Sequence, residues 1–172
     1  LEAIPDKIAS ILKQAPRIKE IAEKYAHAEG MLFMGRQNNY PVAMEGALKM
    51  KEISYIYASG HPSAELKHGI IALVKPDMPS VFIAPDDAVF DKNVSNIEEV
   101  LARKGPVIAV TTEGRTELER LTEDVIYVPD CPSYLTPILN VVPLQLLSYY
   151  IAVARGCDVD KPRNLAKSVT VE

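Results

Sequence analysis

Short apolar runs alternate along this chain with longer segments in which apolar residues recur every three or four positions. Runs of the first kind are typical of strands buried on both faces, and segments of the second kind predict helices. Four strands are predicted in this way, at residues 31–34, 80–84, 107–110 and 125–128. Strands that alternate with helices predict an α/β fold, here a flavodoxin-like three-layer αβα sandwich with a mostly parallel sheet of four to five strands.

Helices are predicted around and between these strands. Apolar residues at helical spacing predict helix over 1–28, which Pro16 divides into two short helices or kinks. A long helix opens at Pro41, after a polar turn, and is broken at 58–62, which reads as a loop. The remaining helices are predicted at about 85–104, 115–121 and 137–155, and the last of these is apolar on most sides.

The break at 58–62 leads into a second, shorter helical piece. His61 lies in the break, before a proline, so we expect it to be exposed to solvent. Ser63 is predicted to cap the short helix, which runs to His68 and ends at Gly69.

The long helix carries three charged residues on one face. Glu45, Lys49 and Glu52 follow one another at i, i+4 and i+7. Two carboxylates beside an ammonium, with His68 on the next helical piece, could transfer protons. The competing interpretation is a solvated face with a Glu45–Lys49 pair worth only ~0.3–0.5 kcal/mol. Spacing alone favours the solvated face, and local sequence alone favours a solvent-facing or structurally hydrogen-bonded His68.

Composition restricts the possible functions. The chain has 172 residues and a formal net charge of −4, which suits one domain and provides no field for nucleic acid. No apolar run reaches the ~20 residues of a membrane span, and the chain does not open like a signal peptide. Cys131, Cys157 and three scattered histidines match no metal-ligand spacing. We therefore expect a cytoplasmic protein with reduced thiols, no metal or cofactor, and no nucleic-acid or membrane partner.

The last segment, 157–172, follows neither the helical nor the strand period. Proline and mixed charges there are typical of a frayed tail, whereas Leu165, Val169 and Val171 offer apolar surface that an ordered arm would bury, and the sequence leaves both alternatives open. The chain is accordingly expected to be one domain, 1–172, with connector helices at 1–28, an α/β core at 29–156 and a C-terminal arm or lid at 157–172.

Three segments carry a resemblance to a known family. They are EGALKMKEISY at 45–55, AELKHG at 64–69 and DKPRNLAKSVTVE at 160–172. The chain resembles, over essentially its whole length, the second of the two sugar isomerase (SIS) domains of the glutamine–fructose-6-phosphate aminotransferases. The resemblance implies a SIS-type fold and a part in converting fructose 6-phosphate and glutamine-derived ammonia into glucosamine 6-phosphate. One departure is the stretch SGHPSA at 59–64, where the family is richer in alanine and ends in glycine.

The resemblance also implies a role for each matching residue. Glu52 matches the general base that moves a proton between C1 and C2 of the sugar, and Lys49 matches a lysine assigned to proton transfers at the sugar oxygens. His68 matches the histidine that opens the sugar ring from the neighbouring subunit, which implies a homodimer. Lys167 matches the lysine that forms a Schiff base with the keto sugar, and Ala166 and Lys167 are the implied substrate-binding residues.

Two parts of such an enzyme have no counterpart in this sequence. The family binds the sugar phosphate on a Ser/Thr-rich loop of its first SIS domain, whereas the corresponding turn here carries Asp86 and Asp87, which would repel a phosphate. The glutaminase portion is also missing. We therefore expect an excised domain that is inactive without its partner domains. The alternatives are a non-catalytic sugar-phosphate-binding or dimerisation module and a flavodoxin- or receiver-like domain, which no motif supports.

Overall fold

The computed structural model describes residues 1–165 and places five strands in one sheet. The strands are β1 (Gly30–Gly35), β2 (Tyr57–Pro62), β3 (Ser80–Ala84), β4 (Val107–Thr112) and β5 (Val125–Val128). Their order in the sheet is β2-β1-β3-β4-β5, and every neighbouring pair is parallel. The four strands predicted from apolar runs and the parallel α/β sheet are confirmed.

Helices cover both faces of this sheet. The α-helices are α1 (Ile4–Leu12), α2 (Ala15–Tyr25), α3 (Asn39–Ser54), α4 (Phe90–Leu101) and α5 (Thr136–Ala154). Short 3-10 helices span Ser63–His68, Ile70–Leu73, Thr116–Arg120 and Ser133–Leu135. One core cluster joins α1, α2, α3 and α5 to one face, and a second joins α4 and two 3-10 helices to the other. Phe33 and Leu32, adjacent on β1, point into opposite clusters, so the sheet is the middle of three layers.

Strand β2 corrects the prediction of a loop at 58–62. Within residues 1–165 it is an edge strand that pairs with β1 alone, from Gly30 opposite Tyr57 to Gly35 opposite Pro62. A Cβ on Gly60 would lie 2.6 Å from the Met44 Cα of α3, so α3 approaches this strand too closely for a larger side chain. Small residues therefore occupy this strand in place of the apolar run that usually indicates a buried strand.

His61 is also placed differently from the prediction of an exposed loop residue. It lies on β2, half-buried, with Nε2 2.8 Å from the Ser59 Oγ. Burial lowers the pKa of this imidazole.

Two helix starts differ from their predicted positions. Helix α4 begins at Phe90 rather than 85, because the Asp87 carboxylate accepts the Val89 N–H at 2.9 Å and holds a turn before the helix. Ser63 does not cap the helix that follows it: its Oγ is buried and has no hydrogen-bond partner within residues 1–165. That helix and the one predicted at 115–121 are 3-10 helices.

Helix α5 is the most apolar element of the fold. The segment Ser133–Ala154 is long and apolar enough to cross a membrane by length and composition alone, contrary to our expectation that no run reaches that length. In the fold it packs against α1, α2 and α3 and buries Leu139, Leu144, Leu147 and Ile151 completely. These contacts are those of a core helix in an α/β domain.

The two N-terminal helices, which Pro16 was predicted to separate, close the β5 edge of the sheet. Between them, the Gln14 amide donates to the Tyr127 carbonyl at 2.6 Å and accepts the Tyr127 N–H at 3.2 Å, as a neighbouring strand would. Asp124, whose side chain is only 3% exposed, accepts hydrogen bonds from Tyr25 Oη at 2.5 Å and Lys24 Nζ at 2.7 Å. The start of the chain is therefore fixed to β5 by backbone and charge contacts.

We expect Tyr25→Phe to lower the free energy of unfolding by about 1–2 kcal/mol, because the buried Asp124 carboxylate loses a donor. Denaturant unfolding of the chain measures the change. Tyr57→Phe is the matched control, since Tyr57 is 70% exposed, and we expect it to leave stability unchanged. Equal stability of both variants would show that the Tyr25–Asp124 hydrogen bond does not help to fix α2 to the sheet.

Candidate functional site

Helix α3, which carries the predicted charged face, runs from the carboxyl ends of the strands toward their amino ends. It starts after β1, at the carboxyl ends of the strands, and ends at Ser54, just before β2 begins beside Gly30. Glu52 therefore lies near the amino ends of the strands, about 20 Å along the helix from Asn39. Where α3 packs against α5 and β1, a Cβ on Gly46 would lie 2.7 Å from Leu144 Cδ1 and 2.9 Å from Phe33 Cδ1. This close packing fixes which face of α3 points outward.

The predicted stripe of three charged residues exists on that outward face. The Lys49 ammonium lies 2.5 Å from Glu52 Oε2 and 3.8 Å from Glu45 Oε1. The Lys49 and Glu52 side chains are 33% and 28% exposed, so the pair is accessible yet partly shielded from water. The hydrogen bond to Glu52 raises the pKa of Lys49, against the opposing effect of desolvation. Lys49 thus stays protonated at neutral pH beside the Glu52 carboxylate.

The end of α3 also contacts the start of the C-terminal segment. Tyr55, directly after the helix, has a left-handed backbone with φ 62°, and its Oη accepts the Arg163 N–H at 2.9 Å. The Arg163 guanidinium carbon lies 4.1 Å from the centre of the Tyr55 ring. Sequence reasoning missed this pair, because a contact across 108 positions has no local signal.

A pocket of about 310 Å³ lies between α3 and the C-terminal segment. It is lined by Lys51, Glu52, Tyr55, Arg163, Asn164 and Leu165. The structure therefore brings Glu52 together with the first residues of the predicted arm. Ala166 and Lys167, which the resemblance assigns to the substrate, lie outside the described residues.

His68 lies away from this pocket in the same chain. It is exposed at the end of the 3-10 helix Ser63–His68, which follows β2 at the carboxyl ends of the strands. The six residues of β2, about 20 Å of extended chain, separate this end of the sheet from the end of α3. Within residues 1–165 no hydrogen bond or ion pair joins His68 to Lys49 or Glu52. The structure of one chain thus does not bring His68 to the Lys49–Glu52 pair.

The turn after β3 is the position where a phosphate loop would lie in this type of domain. Three of its backbone donors are already used: the N–H of Asp86 donates to Thr112 Oγ1, and those of Val89 and Phe90 donate to Asp87. Asp86 pairs with Arg115, and burial raises the pKa of Asp87. The turn therefore carries two carboxylates at the position where a phosphate would need free N–H groups.

The described part of the chain has no cluster of three or more His, Cys, Asp or Glu side chains that could hold a metal ion. Cys131 and Cys157 are both free and partly buried.

Comparison with known proteins defines the class first. The SIS domain model matches residues 24–155, and the chain belongs to the SIS domain family. Over its full length the chain is 60% identical to glutamine--fructose-6-phosphate aminotransferase [isomerizing] of Chlorobaculum tepidum and 52% identical to that of Aquifex aeolicus. It spans only 28% and 29% of those two proteins.

A solved structure supports the same assignment. The C-terminal domain of glucosamine-fructose-6-phosphate aminotransferase from Francisella tularensis superposes with a TM-score of 0.86 at 39% identity. The match covers 93% of this chain and 45% of that one. The resemblance predicted from the three sequence segments is confirmed, and the chain corresponds to a C-terminal SIS domain portion of these aminotransferases.

Proposed function

We propose that this chain is the C-terminal SIS domain of a glutamine–fructose-6-phosphate aminotransferase and contributes the acid/base residues of its isomerase site. The observation that carries the proposal is the Lys49–Glu52 pair, of which Glu52 lines the pocket shared by α3 and the C-terminal segment. In this role the site converts the imine of fructose 6-phosphate into glucosamine 6-phosphate by moving one proton between neighbouring carbons.

Glu52 is the general base of the proposed reaction. Its carboxylate takes a proton from C1, and the electron pair of the broken C–H bond forms the C1=C2 double bond of an enolamine. At the same time the C2=N π pair moves to the imine nitrogen, which takes up a proton and becomes an amine. The carboxylate then returns its proton to C2, which accepts it with the C1=C2 π pair, while O1 releases its proton to solvent and the O1–H pair forms the C1=O bond of the aldehyde. A single carboxylate on a rigid helix can reach both carbons, because they are adjacent.

Lys49 is proposed to serve the sugar oxygens during this transfer. Its ammonium already contacts Glu52 at 2.5 Å and has a raised pKa, so it stays charged when the substrate enters. A fixed cation beside a partly shielded carboxylate stabilises negative charge that develops on a neighbouring oxygen. Such a group also holds the base in one orientation before the reaction begins.

His68 and the C-terminal residues complete the proposed site. The separation of His68 from Glu52 within one chain is what a ring-opening histidine supplied by a second copy requires, so we propose a homodimer. Lys167 is proposed to form the Schiff base with the keto sugar, and Ala166 to contact the substrate. Leu165, which lines the Glu52 pocket, directly precedes these two residues.

The proposed enzyme needs two further domains. A first SIS domain would bind the sugar phosphate, since the turn after β3 here carries two aspartates and uses three of its N–H donors within the chain. A glutaminase domain would release ammonia from glutamine. The proposed chemistry uses side chains alone, without a cofactor, and we propose a cytoplasmic location.

We expect no saturable binding of fructose 6-phosphate or glucosamine 6-phosphate to the 172-residue chain at concentrations up to about 1 mM. The measurement is a calorimetric titration, with the full-length aminotransferase as the positive control. Micromolar binding by the chain alone would show that it makes its own phosphate site. That result would favour the alternative, a non-catalytic sugar-phosphate-binding or dimerisation module.

A further inference from the structure

Tyr55 occupies a backbone position that usually selects another residue. It is the first residue after α3 and adopts the left-handed conformation, with φ 62°. Glycine is the usual residue at this position, because a side chain is disfavoured there. A bulky aromatic residue at such a position suggests that its side chain has a role of its own.

The Tyr55 side chain is used twice, and both contacts go to Arg163. The phenol oxygen accepts the backbone N–H of Arg163 at 2.9 Å, and the ring lies under the guanidinium at 4.1 Å. A backbone contact and a side-chain contact to the same residue fix both the position and the direction of the chain at Arg163.

The backbone of the segment that Tyr55 contacts follows a defined course before and after Arg163. Before it, the N–H groups of Asp160 and Lys161 donate to Asp158 Oδ1 at 3.1 and 3.0 Å, which bends the chain back toward α3. After it, Asn164 has φ 63°, a left-handed turn that asparagine tolerates. Asn164 and Leu165 then line the pocket that contains Glu52.

The Tyr55–Arg163 pair also separates two cavities. On one side lies the Glu52 pocket of about 310 Å³, and on the other a cavity of about 540 Å³ lined partly by Arg155 and Cys157. Both cavities include Tyr55 and Arg163 in their walls. Without the pair, this wall would be lost, and the segment would no longer be held on the Glu52 side.

We propose that Tyr55 is a positioning residue of the isomerase site, which holds Arg163 so that residues 163–165 lie beside Glu52 before substrate binds. The inference rests on the proposed function of the Glu52 pocket. Asn164 and Leu165, which follow Arg163 directly, line the Glu52 pocket, so a fixed Arg163 also fixes where this part of the segment begins. In this role Tyr55 touches no reacting atom and acts through Arg163.

The first test measures whether Tyr55 holds Arg163. In the 172-residue chain, trypsin should cut after Arg163 about tenfold faster in Tyr55→Gly, which loses both contacts. Glycine suits the left-handed backbone, so this variant should keep its fold, which circular dichroism checks. Tyr55→Phe keeps the ring and should give a smaller increase, about threefold. Tyr134→Leu, an exposed tyrosine at the opposite edge of the sheet, should cut at the parent rate.

The second test asks whether the held segment matters for the reaction. In the full-length enzyme, borohydride reduces the Schiff base that fructose 6-phosphate forms with Lys167, and mass spectrometry quantifies the adduct. Adduct formation should slow about tenfold in Tyr55→Gly and recover most of its rate in Tyr55→Phe, whose ring remains. A residue that only stabilised the fold would change the folded fraction and leave the rate per folded molecule unchanged.

The two tests separate the inference from the function on which it rests. Parent-like tryptic cleavage in a folded Tyr55→Gly chain would overturn the positioning role of Tyr55. Failure of the unaltered enzyme to form a Lys167 adduct would instead overturn the proposed role of Lys167, while the cleavage rates would still decide whether Tyr55 holds Arg163.

Discussion

Replacing Glu52 by glutamine in the full-length enzyme is expected to lower kcat for glucosamine 6-phosphate formation by about 10²–10⁴-fold, with KM changed little. Glutamine has nearly the same shape as glutamate and can still contact Lys49, so substrate binding should survive. It cannot accept the C1 proton, which the proposed reaction requires. The measurement is steady-state turnover, together with exchange of the C1 proton into deuterated water, which should fall by the same factor.

Glu45→Gln is the matched control for this experiment. Glu45 lies on the same face of α3, 3.8 Å from the same Lys49 ammonium, but its side chain does not line the Glu52 pocket. We expect its turnover to stay within about threefold of the parent, as for a weak surface ion pair. Comparable losses in both variants would show that the charge of the stripe matters and that Glu52 has no particular role as a base. Full activity of Glu52→Gln would reject the proposed mechanism.

The parts of the fold that could be predicted from sequence are those whose signal is local. Strands β1, β3, β4 and β5 are almost entirely buried in a parallel sheet, so each is a continuous apolar run. Strand β2 was missed because Gly60 must admit the backbone of α3 at Met44. That requirement comes from a helix that is a neighbour in space, so the strand propensities of residues 58–62 do not indicate it.

The candidate site divides in the same way. The stripe of Glu45, Lys49 and Glu52 follows from the helical period, and the structure places the three side chains together. The contact of Tyr55 with Arg163 joins the end of one helix to a segment without periodicity. The local sequence around either residue therefore does not predict the contact. The helical period predicts that these charged side chains lie together, but it does not predict whether they take part in a reaction. Their proposed roles come from the resemblance and from the pocket beside them.

Mixing two inactive variants of the full-length enzyme should restore activity. We expect Glu52→Gln and His68→Ala homodimers to be nearly inactive, and co-expressed mixtures to reach about a quarter of the parent activity. Random pairing makes half of the dimers mixed. In each mixed dimer one site joins the intact Glu52 of one chain to the intact His68 of the other, while the second site contains both substitutions.

This result depends on the geometry of the single chain. Because α3 and β2 run in opposite directions, Glu52 lies near the amino ends of the strands and His68 lies beyond the carboxyl end of β2, a strand about 20 Å long. If both residues served one site within the same chain, each site of a mixed dimer would contain one substitution, and no activity would return. A mixture of Glu52→Gln with Lys49→Ala is the internal control: both residues lie on α3 of one chain, so this mixture should stay inactive. Recovery in the His68 mixture alone would therefore assign His68 to the site of its partner, as the homodimer proposal requires.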